Sequence, residues 1–310
     1  MDRGPFTLTT LGTGAALPAR GRYPTSQILD VHGMLHLIDC GEGTQERMRG
    51  AGISFQRIAH VHISHMHGDH YLGLMGLISS MHLMGRRKEL FVHGPKELKE
   101  VVDIQLRASG TYLRYPLRFR SLPHVNGHVV HADEHVTVTT LALKHRIPCT
   151  GFLFKESVGL RGLRREQLHR IPQFKRAAVK AGHDLEFPDG ARIPNAELTL
   201  DPESPRSYAY CSDTAYEPDL VPHLEGVDLL YHEATFTEAM AGRAKETYHS
   251  TAADAARIAA AAGVGRLLLG HFSSRYKSPD PLLTEALGIF PRTVLSHEGG
   301  VFPVRTRDGA

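Results

Sequence analysis

The sequence predicts a mixed α/β fold, and three observations carry that prediction. Apolar or alternating runs of strand length recur along the chain, among them Phe6 to Leu11, Ile58 to Ile63, Val136 to Leu143 and Arg266 to Leu269. Stretches with helical spacing fall between them, as at Tyr71 to Met84 and Ala252 to Ala262. The 310 residues, 41% hydrophobic and 22% charged, suffice for a large buried core, in one domain over 1–310 or in two halves that share it. A formal charge of +3 excludes a basic nucleic-acid coat, so any polyanion has to meet a local patch. No run approaches the ~20 apolar residues of a membrane span, and the first thirty residues hold no signal-peptide apolar core. Cys40, Cys149 and Cys211 stand far apart without a CxxC pair, as expected of a reduced, cytoplasmic protein.

Taken in order, Phe6 to Leu11 alternates threonine with apolar residues, as a half-buried strand does. Ser26 to Val31 and His36 to Asp39 are the next strands, joined at His32-Gly33, after a Gly-, Pro- and Arg-rich loop from Gly12 to Thr25. A helix starts near Thr44, and Ile58 to Ile63 is a buried strand. Tyr71 to Met84 is a helix whose methionines and leucines fill core. Leu90 to His93 is a strand, followed by Gly94-Pro95 and a helix from Lys96 to about Leu106. Val136 to Leu143, Gly151 to Phe154, Tyr208 to Ser212, Val227 to Tyr231 and Arg266 to Leu269 complete the strands. The alanine-rich helix Ala252 to Ala262 opens on Thr251, which with Asp254 resembles a capping box, and stops at Gly263.

The chemistry is concentrated in Ser64-His65-Met66-His67-Gly68-Asp69-His70, directly after a buried strand. On extended backbone His65 and His67 point the same way and reach one ion. Asp69 and His70 follow as the chain turns, Gly68 easing the turn, and serve a second ion. With 21 histidines in the chain, a His-rich surface loop is the plain alternative. That alternative predicts no further ligand types at strand ends, yet His145, Asp213 and His271 stand there. An aspartate such as Asp213 can bridge two cations roughly 3.5–4 Å apart. Asp39 also ends a strand. It is either a ligand or, as we prefer, the acceptor that fixes a ligand imidazole. His249 stands at a helix entrance, and Glu233 follows an apolar run. Arg275 can meet a phosphate through its forked guanidinium. His82, His93, His124 and His128 are read as structural or exposed.

The run from His65 to His70 resembles the HxHxDH signature of the metallo-β-lactamase superfamily. Together with Thr10-Leu11-Gly12-Thr13-Gly14 and Asp39-Cys40-Gly41-Glu42-Gly43-Thr44, it resembles the ribonuclease Z branch over nearly the whole chain apart from about residues 155–200. The resemblance implies a four-layer αβ/βα sandwich with metals at one edge of two facing sheets. It implies two Zn2+ per subunit, precursor tRNA as the substrate, and a homodimer in which one subunit's arm serves the other's site. Pro18-Ala19-Arg20-Gly21-Arg22-Tyr23 falls where the family often carries PxKxRN near the tRNA 3′ end, with arginine for the lysine and tyrosine for the asparagine. The segment 155–205 breaks the strand-helix rhythm, and from Arg161 to Lys180 it carries seven Lys/Arg against one acid. Such a run is usually a solvated helical face. By resemblance it is the tRNA-gripping arm, with Arg164, Arg165, Lys175 and Arg176 as contacts, although Arg170-Ile171-Pro172-Gln173-Phe174 stands in place of a Gly-Pro-rich tip.

On this reading His65, His67 and His145 hold one ion, Asp69, His70 and His271 the other, and Asp213 bridges them. Three imidazoles favour zinc, and the mixed site would also accept Mn2+. Asp69 deprotonates the attacking water, and His249, paired with Glu233, protonates the leaving 3′ oxygen. The expected activity is removal of the 3′ trailer from precursor tRNA, leaving a 3′-hydroxyl. The same ligands would also serve a small-molecule phosphodiesterase, arylsulfatase or lactonase. An RNA-binding module with structural metals fits less well, because structural zinc sites are closed and this ligand set is open.

Overall fold

The computed structural model describes residues 3–307. The chain divides into two compact units, residues up to 155 together with those from 206, and Glu156–Pro205. In the larger unit, one seven-stranded sheet has the order Val301–Pro303, Phe6–Gly12, Ser26–Val31, Met34–Cys40, Ile58–His62, Leu90–Gly94, Leu117–Ser121. Its pairings are antiparallel as far as Met34–Cys40 and parallel beyond it. His32 and Gly33, at φ 50° and 91°, turn the chain between the second and third strands with the twist a two-residue hairpin needs. The second seven-stranded sheet has the order Thr293–Leu295, Arg266–Gly270, Leu229–Glu233, Ser207–Cys211, Cys149–Glu156, Val136–Leu143, Val129–Ala132, its first four strands parallel.

Three apolar clusters show how these sheets are layered. Phe6, Leu8, Leu29 and Ile38 of the first sheet pack against Phe152, Phe154, Tyr208 and Tyr231 of the second, so the sheets lie face to face. On the outer side of the first sheet, Met48, Leu77, Ile78, Leu98 and Val102 bring in the helices Thr44–Gly50, Leu74–Leu83 and Lys96–Ala108. On the outer side of the second, Ala255, Ala256, Ala259, Leu282 and Ala286 bring in Ala252–Ala261 and Asp280–Leu287. Helix, sheet, sheet and helix make the expected four layers. Thr251 and Asp254 cap Ala252–Ala261 reciprocally at 3.1 Å each, and Gly263 ends it at φ 58°.

Several elements differ from the sequence reading. The helix expected over Tyr71 to Met84 is broken at Leu72-Gly73. Gly73 donates its N–H to the Cys40 carbonyl at 2.9 Å, and a Cβ there would lie 2.2 Å from the Gly41 oxygen. Gly68, expected to ease a tight turn, opens the short helix Gly68–Tyr71 at an ordinary negative φ; a Cβ at Gly68 would meet Leu72. The strand expected from Val227 starts at Leu229 and runs on through His232 and Glu233. The short edge strands were not legible, because Leu-Arg-Phe-Arg-Ser at 117–121 is mostly exposed and needs no apolar run.

His93 is buried, and it belongs to a tier of histidines between the sheets. His36 Nδ1 lies 3.1 Å from His62 Nε2, and His60 Nδ1 lies 3.1 Å from His93 Nε2. His131 packs on His60 with ring centroids 4.1 Å apart and bonds Asp133 at 2.9 Å. Burial lowers the pKa of each member of the first two pairs, to about 3 for His60 and His93, so all four are neutral at physiological pH.

The unit Glu156–Pro205 has a core of its own, Ile171, Val179, Leu185 and Leu198. Two small antiparallel pairs, Gly162–Leu163 with Thr199–Leu200 and Leu185–Glu186 with Arg192–Ile193, frame short helices. Asn195 ties it together, its amide donating to the carbonyls of Val179 and His183 at 2.7 Å each. Among the described residues no helix is long and apolar enough to cross a membrane.

Candidate metal centre and active site

The polar groups of the site stand at the C-terminal ends of strands. Asp39 lies at the end of Met34–Cys40, His65 to His70 follow Ile58–His62, and His145 follows Val136–Leu143. Asp213, Glu233 and His271 sit at the ends of three adjacent parallel strands. Asp39 and His271 hold left-handed φ of 54° and 58°, a conformation that costs a side-chain-bearing residue and clusters at functional sites.

Two ligand groups form around one carboxylate. One atom each from His65, His67, His145 and Asp213 lie within 4.8 Å of one another. The ring nitrogens alone are closer, with His65 Nε2 and His145 Nε2 at 3.0 and 3.1 Å from His67 Nδ1. Asp69, His70 and His271 make the second group. Asp213 Oδ2 lies 3.7 and 3.8 Å from His65 and His145, while its Oδ1 lies 3.4 and 3.2 Å from His70 and His271. The two oxygens of Asp213 therefore face different groups, the arrangement a bridging carboxylate needs.

The surroundings fix which ring nitrogen is bare. His70 Nδ1 bonds Asp39 Oδ2 at 2.7 Å, His145 Nδ1 the Tyr248 carbonyl at 2.9 Å, and His271 Nδ1 the Thr235 hydroxyl at 2.9 Å. Their Nε2 atoms point inward, and those of His70 and His271 are buried without a hydrogen-bond partner among the described residues. Asp39 is not among the converging groups. Its oxygens accept from Ser64 N, Ser64 Oγ, Tyr210 Oη and His70, so it orients an imidazole. Burial keeps His65, His67 and His145 below their ordinary pKa, in the neutral form that offers a lone pair. Burial alone would raise the Asp69 and Asp213 carboxyls, but the histidines beside them hold both well below the usual carboxylate range. The neutral imidazoles of His65, His67 and His145, the ionised carboxylates of Asp69 and Asp213, and the inward-facing Nε2 atoms of His70 and His271 fit divalent cations. Burial opposes a charge on His70, but Asp69, Asp213 and Asp39 outweigh it and raise its pKa well above the ordinary value, so positive charge is favoured at this place.

Glu233 and His249 also converge near Asp213. Glu233 is fully engaged, though. Oε1 accepts from Thr214 N at 2.9 Å and His249 Nδ1 at 2.7 Å, and Oε2 accepts from the Thr235 hydroxyl at 2.6 Å. Burial opposes a charge on His249, but the Glu233 carboxylate outweighs it and raises the imidazole to about 9. A cavity of about 520 Å³ lies over these groups, with His249, Arg146, Arg243 and Arg275 in its wall. Arg275 is exposed and forms no ion pair among the described residues. Sequence reasoning missed Arg146 and Arg243; the available signal for Arg146 was its place beside His145. Lys175 and Arg176 donate to carbonyls within the unit Glu156–Pro205, the former to Glu186 and the latter to Ile171. Arg164 and Arg165 form no ion pair among the described residues.

A family model described as Anti-Pycsar protein Apyc1 matches residues 6–203, a span that ends before Asp213, Glu233, His249 and His271. The chain is 47% identical over 296 residues to a protein of Parabacteroides distasonis named Ribonuclease Z, covering 95% of this chain and 97% of that one. It is 46% identical over 295 residues to the Ribonuclease Z of Bacteroides fragilis, covering 94% and 97%. The chain belongs to the ribonuclease Z family. That family is one of endoribonucleases with the metallo-β-lactamase fold. Human tRNase Z, short form, superimposes with a TM-score of 0.70 at 25% identity, covering 96% of this chain and 99% of that one. The metallo-β-lactamase fold protein YhfI from Bacillus subtilis shares the fold at a TM-score of 0.68, 20% identity and coverage of 96% and 99%.

Proposed function

We propose that this ribonuclease Z family member removes the 3′ trailer from precursor tRNA, leaving a 3′-hydroxyl, with two zinc ions per subunit. One observation carries the reading. Both ligand groups and the Glu233–His249 pair lie in a chain whose relatives are named Ribonuclease Z over nearly their full length. His65, His67 and His145 would hold one ion, Asp69, His70 and His271 the other, with Asp213 shared. Bound there, two cations supply a lowered water pKa and stabilise charge developing on the phosphate. Asp69, in the cavity wall, orients the attacking water and takes its proton. His249 uses Nδ1 on Glu233, so its Nε2 is the atom left to donate a proton to the leaving 3′ oxygen. A pKa raised to about 9 keeps that proton in place at neutral pH.

In this reading Arg275 meets a phosphate at the site, and the unit Glu156–Pro205 grips the tRNA body through Arg164 and Arg165, whose guanidiniums form no ion pair among the described residues. Lys175 and Arg176 brace that unit instead. The working form is a cytoplasmic homodimer. Mapping the ends produced from a precursor tRNA of known trailer tests the proposal. A tRNA 3′-hydroxyl at the trailer junction is the expected product. Turnover of an aryl phosphodiester with no cut in the precursor would assign the site to a small-molecule hydrolase.

A further inference from the structure

The loop Gly12–Thr25 places Ala15 and Ala16 in the cavity lining and is held at both ends. Arg20 and Gly21 reverse it at φ 56° and 75°, and Ala19 and Arg22 exchange backbone hydrogen bonds of 3.0 Å across that turn. A left-handed arginine is disfavoured and persists where its surroundings impose it. Here the side chains supply the reason. Arg20 Nε donates to the Ser274 carbonyl at 2.7 Å, and Arg22 Nη2 donates to the carbonyls of Tyr276 at 2.7 Å and Ser273 at 3.4 Å. At the loop's root, Glu298 Oε1 accepts from Thr13 N, Thr13 Oγ1 and Tyr23 N at 3.1, 2.9 and 3.2 Å. The loop also reaches the metal groups, with Ala16 N–H donating to Asp69 Oδ2 at 2.8 Å.

Arg275 stands between the clamped carbonyls of Ser274 and Tyr276, exposed at the cavity rim. We infer that Arg20 and Arg22 are positioning residues. They lock the turn Ser273–Tyr276 so that Arg275 faces a phosphate of the bound RNA, and they do not contact that RNA themselves. This rests on the RNA substrate proposed above. The clamp suits arginine, whose planar fork offers several donors at fixed angles; a lysine ammonium is a compact point charge that cannot reproduce that fork. It also gives the arginines of Pro18 to Tyr23 a task other than reading the tRNA 3′ end.

The test uses the full-length, metal-loaded protein with Arg22→Ala, Arg275→Ala, the double variant and Arg22→Lys. The readouts are log(kcat/KM) on precursor tRNA against log salt, and amide hydrogen exchange at Arg275 and Tyr276 without RNA. One lost phosphate contact flattens the salt slope by ~0.7–0.9. Arg22→Ala and Arg275→Ala are each expected to lose about one contact, the double variant no more than one, and Arg22→Lys an intermediate amount. Exchange at Arg275 and Tyr276 should quicken in Arg22→Ala while turnover of an aryl phosphodiester holds. Additive loss of two contacts in the double variant would make Arg22 an RNA contact and overturn the inference; so would unchanged exchange. If the parent fails to cut precursor tRNA, the substrate reading fails, and the exchange measurement still decides whether the clamp exists. Parental metal content identifies the variants that have folded.

Discussion

Mild acid should destabilise this protein steeply, through the histidine tier between its sheets. His36, His60, His62 and His93 are buried and held below 6.5, chiefly by burial and then by neighbouring histidines, His131 among them, with His60 and His93 at about 3. His131, Asp133 and Arg120 are the other charged or titratable groups that face them. The unfolded chain recovers ordinary imidazoles, so below pH 6.5 it binds protons that the folded chain refuses. Stability therefore falls as pH drops from 6.5 toward 4, and these groups have no effect above that window. Each contributes about 1.4 kcal/mol per pH unit, so four contribute about 5 kcal/mol per unit. The accumulated loss is about 6 kcal/mol at pH 5.5, comparable with the ~5–15 kcal/mol total of a typical domain.

The comparison is with His60→Asn/His93→Gln, which places an amide nitrogen or oxygen near each bonded ring nitrogen without an ionisable group. Urea unfolding from pH 5 to 7.5, followed by circular dichroism because the chain has no tryptophan, gives stability at each pH. The metal ligands are common to both proteins, so their protonation cancels in the difference. The slope below pH 6.5 should shrink by about 2.7 kcal/mol per pH unit in the variant. Equal slopes would refute the reasoning and place the acid sensitivity at the metal centre.

Asp213→Ala should lose most of both ions, read by elemental analysis after metal-replete purification, because each carboxylate oxygen serves a different group. Retention of two ions would exclude the bridge. Asp69→Ala should lower turnover on every substrate by at least the ~10²–10⁴-fold typical of a general base, and near-parental rates would remove that role. His249→Ala should slow RNA cleavage strongly and spare an aryl phosphodiester whose leaving group needs no proton. In the parent the RNA rate should fall as pH rises through about 9, where His249 loses its proton, and that limb should vanish in the variant. Replacing residues 157–204 by a Gly/Ser linker should weaken precursor-tRNA binding and flatten its salt dependence while small-substrate turnover survives. Excising only 161–180 is the poorer experiment, since it strips Ile171 and Val179 from that unit's core.

What the sequence determined by itself is local. Alternation and apolar runs located the long strands, because a half-buried strand repeats every second residue. His65, His67, Asp69 and His70 were legible as a ligand run because four metal-capable side chains within six residues need no tertiary contact to be noticed. Thr251 with Asp254 was legible as a cap for the same reason of short range. His145, Asp213 and His271 were visible at strand ends, but a lone histidine there is ordinarily uninformative, and the family resemblance is what singled out His145. The tertiary structure decided everything that depends on a partner far along the chain. It turned the two oxygens of Asp213 toward different groups and occupied both oxygens of Asp39, so only one of them is placed to bridge ions. It paired His36 with His62 and His60 with His93, which the sequence shows only as scattered histidines. It also directed Arg20 onto a carbonyl 254 residues away. A sequence displays donors and charges, but a hydrogen bond is made at about 3 Å, and only the folded chain brings donor and acceptor that close.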